Sequence, residues 1–223
     1  MVARTWRRAA GTTASANVHT IEGGGSAPLI LAVDEYRASA TMLLRDGRLL
    51  WTTIDQTPVT VIKPGVDGVT GALGGKVITS ATSISELGAF ALGFSDGTIQ
   101  LGELKYETEF VSELPKDAQS KKLARGERTA LIGVEGEAGG WGVVERTPLD
   151  QYRVTKPIFT LQSPATPEWP EPAPGASTDA KPGKSVVRID YRNSVLASYL
   201  LLMREDGVAA LERVTFVRPL GGG

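Results

Sequence analysis

The stretch Gly93 to Gly97, GFSDG, spells G-x-S-x-G, the pattern that lifts a serine nucleophile onto a strained turn between a strand and a helix. Such a serine needs a helix behind it, and a carboxylate and a histidine later in the chain to take its proton. Neither requirement is met. The residues after the turn, TIQLGEL, alternate apolar and polar as a strand does, and the sole histidine, His19, precedes Ser95. Ser95 is therefore expected to flank a tight turn.

Other residue patterns also argue against a reaction centre. Cysteine is absent, so disulfides, thiolate metal sites and cysteine catalysis are excluded, whereas the compartment stays open. Metals would have to bind carboxylates, and no acidic loop has calcium-binding spacing. Asp34, Glu35 and Asp67 read as solvated turn or strand-end residues. The glycine-rich run Gly65 to Lys76 fails as a phosphate loop, because Val77 follows Lys76 and Thr70 stands where a glycine is required. The basic cluster of Lys121, Lys122, Arg125 and Arg128 includes Glu127 and lacks interleaved aromatics, so it reads as a solvated loop rather than an anion or nucleic-acid site. No catalytic, cofactor-binding or metal-binding residue is assigned. A reaction centre built from carboxylates and Arg or Lys is the least supported reading, since histidine and cysteine chemistry are effectively missing.

The elements around these residues are more informative. Asp-Gly pairs interrupt apolar runs three times, at Asp46-Gly47, Asp96-Gly97 and Asp206-Gly207. Each reads as a two-residue type I′ hairpin turn. That register pairs Phe94 with Ile99 and Leu92 with Leu101, Leu44 with Leu49 and Met42 with Trp51, and Leu202 with Leu211. A weaker fourth turn is expected within 137–140. The turns recur at roughly 40–70 residues, as the blades of a β-propeller do, rather than at the roughly 8–12 of a sandwich. No Trp-Asp stamp marks WD40 repeats, and helical periodicity is weak throughout. The expected fold is all-β: degenerate β-propeller-like repeats, about four hairpin-centred blades. Four are few for a closed ring, so a larger propeller could include them.

The expected organisation is a flexible leader over 1–27, three blade-like units over 28–162, a Pro-rich loop or linker over 163–185, and a further hairpin unit over 186–223. The linker holds six of the thirteen prolines, too many to join a ladder. Within it Trp169 could anchor a partner or cover the β surface, whereas Trp51 and Trp141 lie in strand patterns and read as core. A net charge of −1 provides no field for nucleic acid or anionic lipid. No segment has the ~20 apolar residues of a helical membrane span, and the basic start lacks the apolar region of a signal peptide.

The phrases ALGFSDGTIQLGELKYETEFVSELP and GWGVVERTPLDQYRV resemble the large soluble extension of certain bacterial phosphate ABC-transporter permeases. The resemblance covers about residues 28–217. It implies a propeller-like, non-enzymatic accessory domain on the extracytoplasmic (periplasmic) face of the inner membrane. The implied partners are the transporter's membrane subunits or its phosphate-binding protein, and no catalytic residues are carried over. The alternative is a free-standing propeller scaffold for protein–protein assembly.

Overall fold

A computed structural model of the protein describes residues 2–7, 15–20, 25–54, 59–63, 76–84, 88–118, 122–132, 141–170, 184–194 and 197–214. The fold is all-β. Its strands are β1 (Val2–Arg7), β2 (Ser15–Thr20), β3 (Pro28–Val33), β4 (Ser39–Leu44), β5 (Leu49–Thr53), β6 (Thr60–Lys63), β7 (Ile78–Ser83) and β8 (Ala89–Phe94). They continue as β9 (Ile99–Val111), β10 (Arg128–Leu131), β11 (Gly142–Arg146), β12 (Tyr152–Leu161), β13 (Val186–Asn193), β14 (Ser198–Arg204) and β15 (Ala209–Val214). A single 3-10 turn, Lys116–Ala118, is the only helical element among the described residues. Every ladder whose register is described is antiparallel, and among the described residues none of the sheets closes on itself.

Two compact units divide the chain: residues 1–70 with 106–157, and residues 71–105 with 158–223. The long strands β9 and β12 are neighbours in one sheet, so its ladders join segments far apart in sequence. The expected leader contains the β1–β2 hairpin, paired from Val2 with Thr20 to Arg7 with Ser15.

Four three-stranded meanders follow one another: β3-β4-β5, which β6 extends, then β7-β8-β9, β10-β11-β12 and β13-β14-β15. In each, the same turn joins the second strand to the third. The amide of Leu44 bonds the carbonyl of Arg48 at 2.8 Å, and the amide of Gly47 bonds that of Leu44 at 2.9 Å. Phe94 with Thr98, and Arg204 with Val208, close their turns in the same way at 3.0 and 2.9 Å. Gly47, Gly97 and Gly207 have φ of 85°, 87° and 82°, whereas the aspartates before them are not in the positive-φ region. A type I′ turn would need positive φ at both positions. The loops are therefore three residues long, a type I turn closed by a left-handed glycine.

The extra loop residue shifts the register by one from the expected pairing. Gly93 faces Ile99, Leu92 faces Gln100 and Ala91 faces Leu101. Leu43 faces Leu49, Met42 faces Leu50, and Leu202 faces Ala210. Side-chain alternation could not reveal the slip, because β4, β5 and β8 are buried along their whole lengths. A strand covered on both faces carries no polar side to fix its register.

The third meander makes the same turn from different letters. Thr147 closes onto Gln151 at 2.8 Å, and Asp150, at φ 60°, occupies the left-handed position glycine fills elsewhere. Its hairpin is thus Pro148 to Asp150. The expected turn within 137–140 belongs to the preceding β10–β11 connection and lies outside the described residues. With it placed there, the four turns fall at intervals of roughly fifty to sixty residues. A bulge also recurs in the first strand of three meanders, between Pro28 and Ile30, Ile78 and Ser80, and Val186 and Arg188. Each bulge lies opposite the end of the second strand.

Separate apolar clusters support these meanders. Met42, Leu44 and Leu50 anchor one and Leu131, Val144 and Val154 another, both in the first unit. In the second unit Ala91, Ile99, Val186, Ile189, Leu200 and Leu202 share a cluster. Glycine at the turn predicts a graded loss. Gly207→Ala should cost about 1–2 kcal/mol for the left-handed backbone alone, since nothing lies within 4 Å of the added Cβ. Gly97→Ala should cost more, because its Cβ would sit 2.9 Å from the Lys184 carbonyl oxygen. Urea unfolding of both variants checks the order, and equal losses would contradict the packing at Gly97.

Candidate functional site

Ser95 lies in the β8–β9 loop with a strand on either side, so it stands on no strand-to-helix elbow. Its amide bonds the Val77 carbonyl at 3.0 Å, and its hydroxyl accepts the Val77 amide at 3.3 Å. Both contacts tie the turn to the residue preceding β7. The neighbouring Asp96 accepts the Thr98 amide at 3.0 Å and pairs with Lys76 at 2.6 Å. Burial raises the Asp96 carboxyl, but the bonds from Lys76 and Thr98 outweigh it and leave the pKa below the ordinary value. Asp46 and Asp206 accept the amides of Arg48 and Val208 in the same way, at 3.1 and 3.2 Å. These aspartates are turn-formers, each satisfying the amide two residues on.

The most enclosed carboxylate is Asp34, and here the expectation of a solvated residue fails: it is 2% exposed. One oxygen accepts the Tyr36 amide at 2.8 Å. The other accepts the Ala38 amide at 2.9 Å, the Ser39 hydroxyl at 3.0 Å, and the Ser39 amide. This clamp closes the β3–β4 loop, in which Arg37 is held at φ 52°. On β4, Thr41 shares a 2.8 Å hydrogen bond with the Tyr106 hydroxyl. Burial pushes Tyr106 up to about 12, against the bonds from Thr41 and Ser39. At neutral pH the phenol keeps its proton and serves as a hydrogen-bond partner, not as a base. Tyr36, meanwhile, lies beneath the Arg153 guanidinium, 3.4 Å from its ring centroid.

Arginines in the same unit are likewise engaged. Arg128, Glu145 and Arg153 form a cross-strand row over β10, β11 and β12. One oxygen of Glu145 accepts from both, with Arg153 at 2.7 Å. Arg125 grips Asp150 in bidentate fashion at 3.1 and 2.7 Å, and Arg146 reaches the same carboxylate at 3.0 Å. The bond from Arg125 is the main reason the Asp150 carboxyl sits below its ordinary value. These guanidinium groups stabilise a hairpin whose left-handed residue is an aspartate rather than a glycine. Lys122 is exposed, and Lys121 lies outside the described residues.

Trp51 and Trp141 are core residues, edge to face with ring centroids 6.2 Å apart. Within the expected linker, residues 163–170 are mostly exposed but are held to the second unit at Ala165 and Trp169. Ala165 bridges Ile99 through two 2.9 Å bonds, and Trp169 packs on the second unit's cluster. The Trp169 indole N–H donates to the Gly97 carbonyl at 3.2 Å, and Arg204 lies 5.3 Å from its ring. Asp67 and residues 64–75 and 171–183 lie outside the described residues, and His19 is placed only as backbone in β2. Among the described residues no cluster of His, Asp or Glu could hold a metal ion.

Comparison with protein-family models, with curated proteins and with solved structures found no match. The polar geometry itself is therefore the guide to function. Asp34, Asp46, Asp96 and Asp206 close loops, and Arg125 and Arg146 brace the Asp150 hairpin. Of these features the Asp34 clamp escaped sequence reading, and its only signal is the serine placed five residues on. Asp34→Ala should strand three amides, two of them buried, and destabilise the protein by roughly 2–4 kcal/mol. A loss below about 1 kcal/mol in urea unfolding would show that the clamp is dispensable.

Proposed function

We propose that the protein is a non-enzymatic, degenerate β-propeller-like accessory domain that acts in recognition or regulation. The observation that carries this reading is the fourfold recurrence of one meander, with a common three-residue turn and, in three copies, a common bulge. Propeller blades are antiparallel meanders repeated at about this interval. The first meander, completed by β6, has the four strands of a full blade. The engagement of Asp34, Asp46, Asp96, Asp206, Glu145, Asp150 and their arginine and lysine partners in turns and strands supports a binding surface rather than a reaction centre.

The sequence resemblance gives this surface a setting, as the soluble part of a phosphate-type ABC-transporter permease on the periplasmic face of the inner membrane. There it would meet the transporter's membrane subunits or its phosphate-binding protein. The domain contributes recognition, not the ion site, so calorimetric titration with phosphate should release no heat. In-frame removal of residues 28–214 from the native protein should change the rate of phosphate uptake by the host. Normal uptake with normal expression would contradict the transporter role and leave a free-standing scaffold.

A further inference from the structure

The second strands of the meanders are not covered alike. β4 and β8 are buried at every position, and β11 at its first three. Their counterpart β14 carries an equally apolar sequence, SYLLLMR, but only Leu200 and Leu202 are buried. Leu201 is 39% exposed and its cross-strand partner Leu211 on β15 is 64% exposed. A run apolar on both faces marks a strand that expects a layer on each. Among the described residues, one of those layers is absent.

The open face is ordered along its length. Leu201 and Leu211 form one apolar row, and Met203 with Ala209 the next. Beyond the Leu row lie Arg192, Tyr199 and Arg213, directly opposite one another across the three strands. Both arginines are exposed, and neither has an ion-pair partner among the described residues. Asp190 is occupied by Arg188 at 2.8 Å. At the opposite end, past the Met203 row, the turn presents Glu205, exposed and likewise without an ion-pair partner among the described residues. The middle of the face is thus apolar along β14 and β15, with the Arg188–Asp190 pair completing those two rows on β13, and the face is basic at one end and acidic at the other.

We infer that the outer face of β13-β14-β15 binds the same face of a second copy of this chain. A two-fold axis lying in the interface, between the Leu201–Leu211 and Met203–Ala209 rows, superposes each apolar row on the partner's other row. It also turns the basic end of each copy over the acidic end of its mate. Along a strand, at about 3.3 Å per residue, Arg213 and Glu205 then lie at similar distances on opposite sides of that axis. An interface of this kind is self-complementary, as two-fold symmetry requires. Neither ring closure nor a transporter is required for the pairing.

Sedimentation equilibrium on the full chain tests it. Wild type should dimerise, and more weakly as salt rises, because its charged ends are exposed. Leu211→Asp should weaken the dimer at least tenfold while leaving the melting temperature of the monomer nearly unchanged. Arg213→Glu should weaken it too, and the exchange Arg213→Glu with Glu205→Arg should restore it, which a change in folding alone would not do. A wild-type chain that stays monomeric at about 0.1 mM in low salt would overturn the proposal. So would a dimer indifferent to Leu211→Asp, or a charge exchange that fails to restore what Arg213→Glu removes.

Discussion

The structure depends on one turn. An aspartate in ordinary right-handed backbone accepts the amide two residues on, and the next residue takes the left-handed conformation that closes the hairpin. Each turn fixes which residue of a second strand faces which residue of a third. An error of one position would turn every side chain of one strand to the opposite face relative to its neighbour. The turn sets a common register in all four meanders, and in three of them the bulge and the approach to the first strand recur as well. The amides of Arg45, Ser95 and Glu205 show this directly: each bonds a carbonyl just ahead of, or at the approach to, its own first strand.

Interactions elsewhere act to hold that geometry. Lys76 neutralises Asp96, Arg48 pairs with Asp46, and Arg204 pairs with Asp206. Where aspartate takes the left-handed position, at Asp150, two arginines grip its carboxylate. Surface ion pairs of this kind contribute little individually, but they are placed where a turn would otherwise fray. Trp169 ties two of the turns within one unit, through the Gly97 carbonyl on one side and the Arg204 guanidinium on the other. Such a surface is stiff and repetitive, which suits recognition.

Much of this was legible in the sequence, and what was not has physical causes. The Asp-Gly pairs located three hairpins, and the alternation after Ser95 disposed of the nucleophile elbow. Register was not legible, because Met42, Leu43 and Leu44 are all buried and no polar side chain marks an outer face. The Pro148-Leu149-Asp150 hairpin was not anticipated because it contains no glycine, and glycine is the usual sign of a left-handed residue. Asp34 was read as solvated because charge normally implies exposure. Its burial follows from donors that the loop backbone supplies and that a sequence does not display. The docking of residues 163–170 depends on an indole finding a carbonyl far along the chain, which proline content conceals.

The central claim is that all four meanders share a three-residue turn and so a common register. Cross-strand nuclear Overhauser contacts measure this directly. The shared turn predicts contacts between the backbones of Leu43 and Leu49, Gly93 and Ile99, Val144 and Val154, and Met203 and Ala209. Contacts that instead place Phe94 opposite Ile99, and Leu44 opposite Leu49, would signal two-residue turns and contradict it.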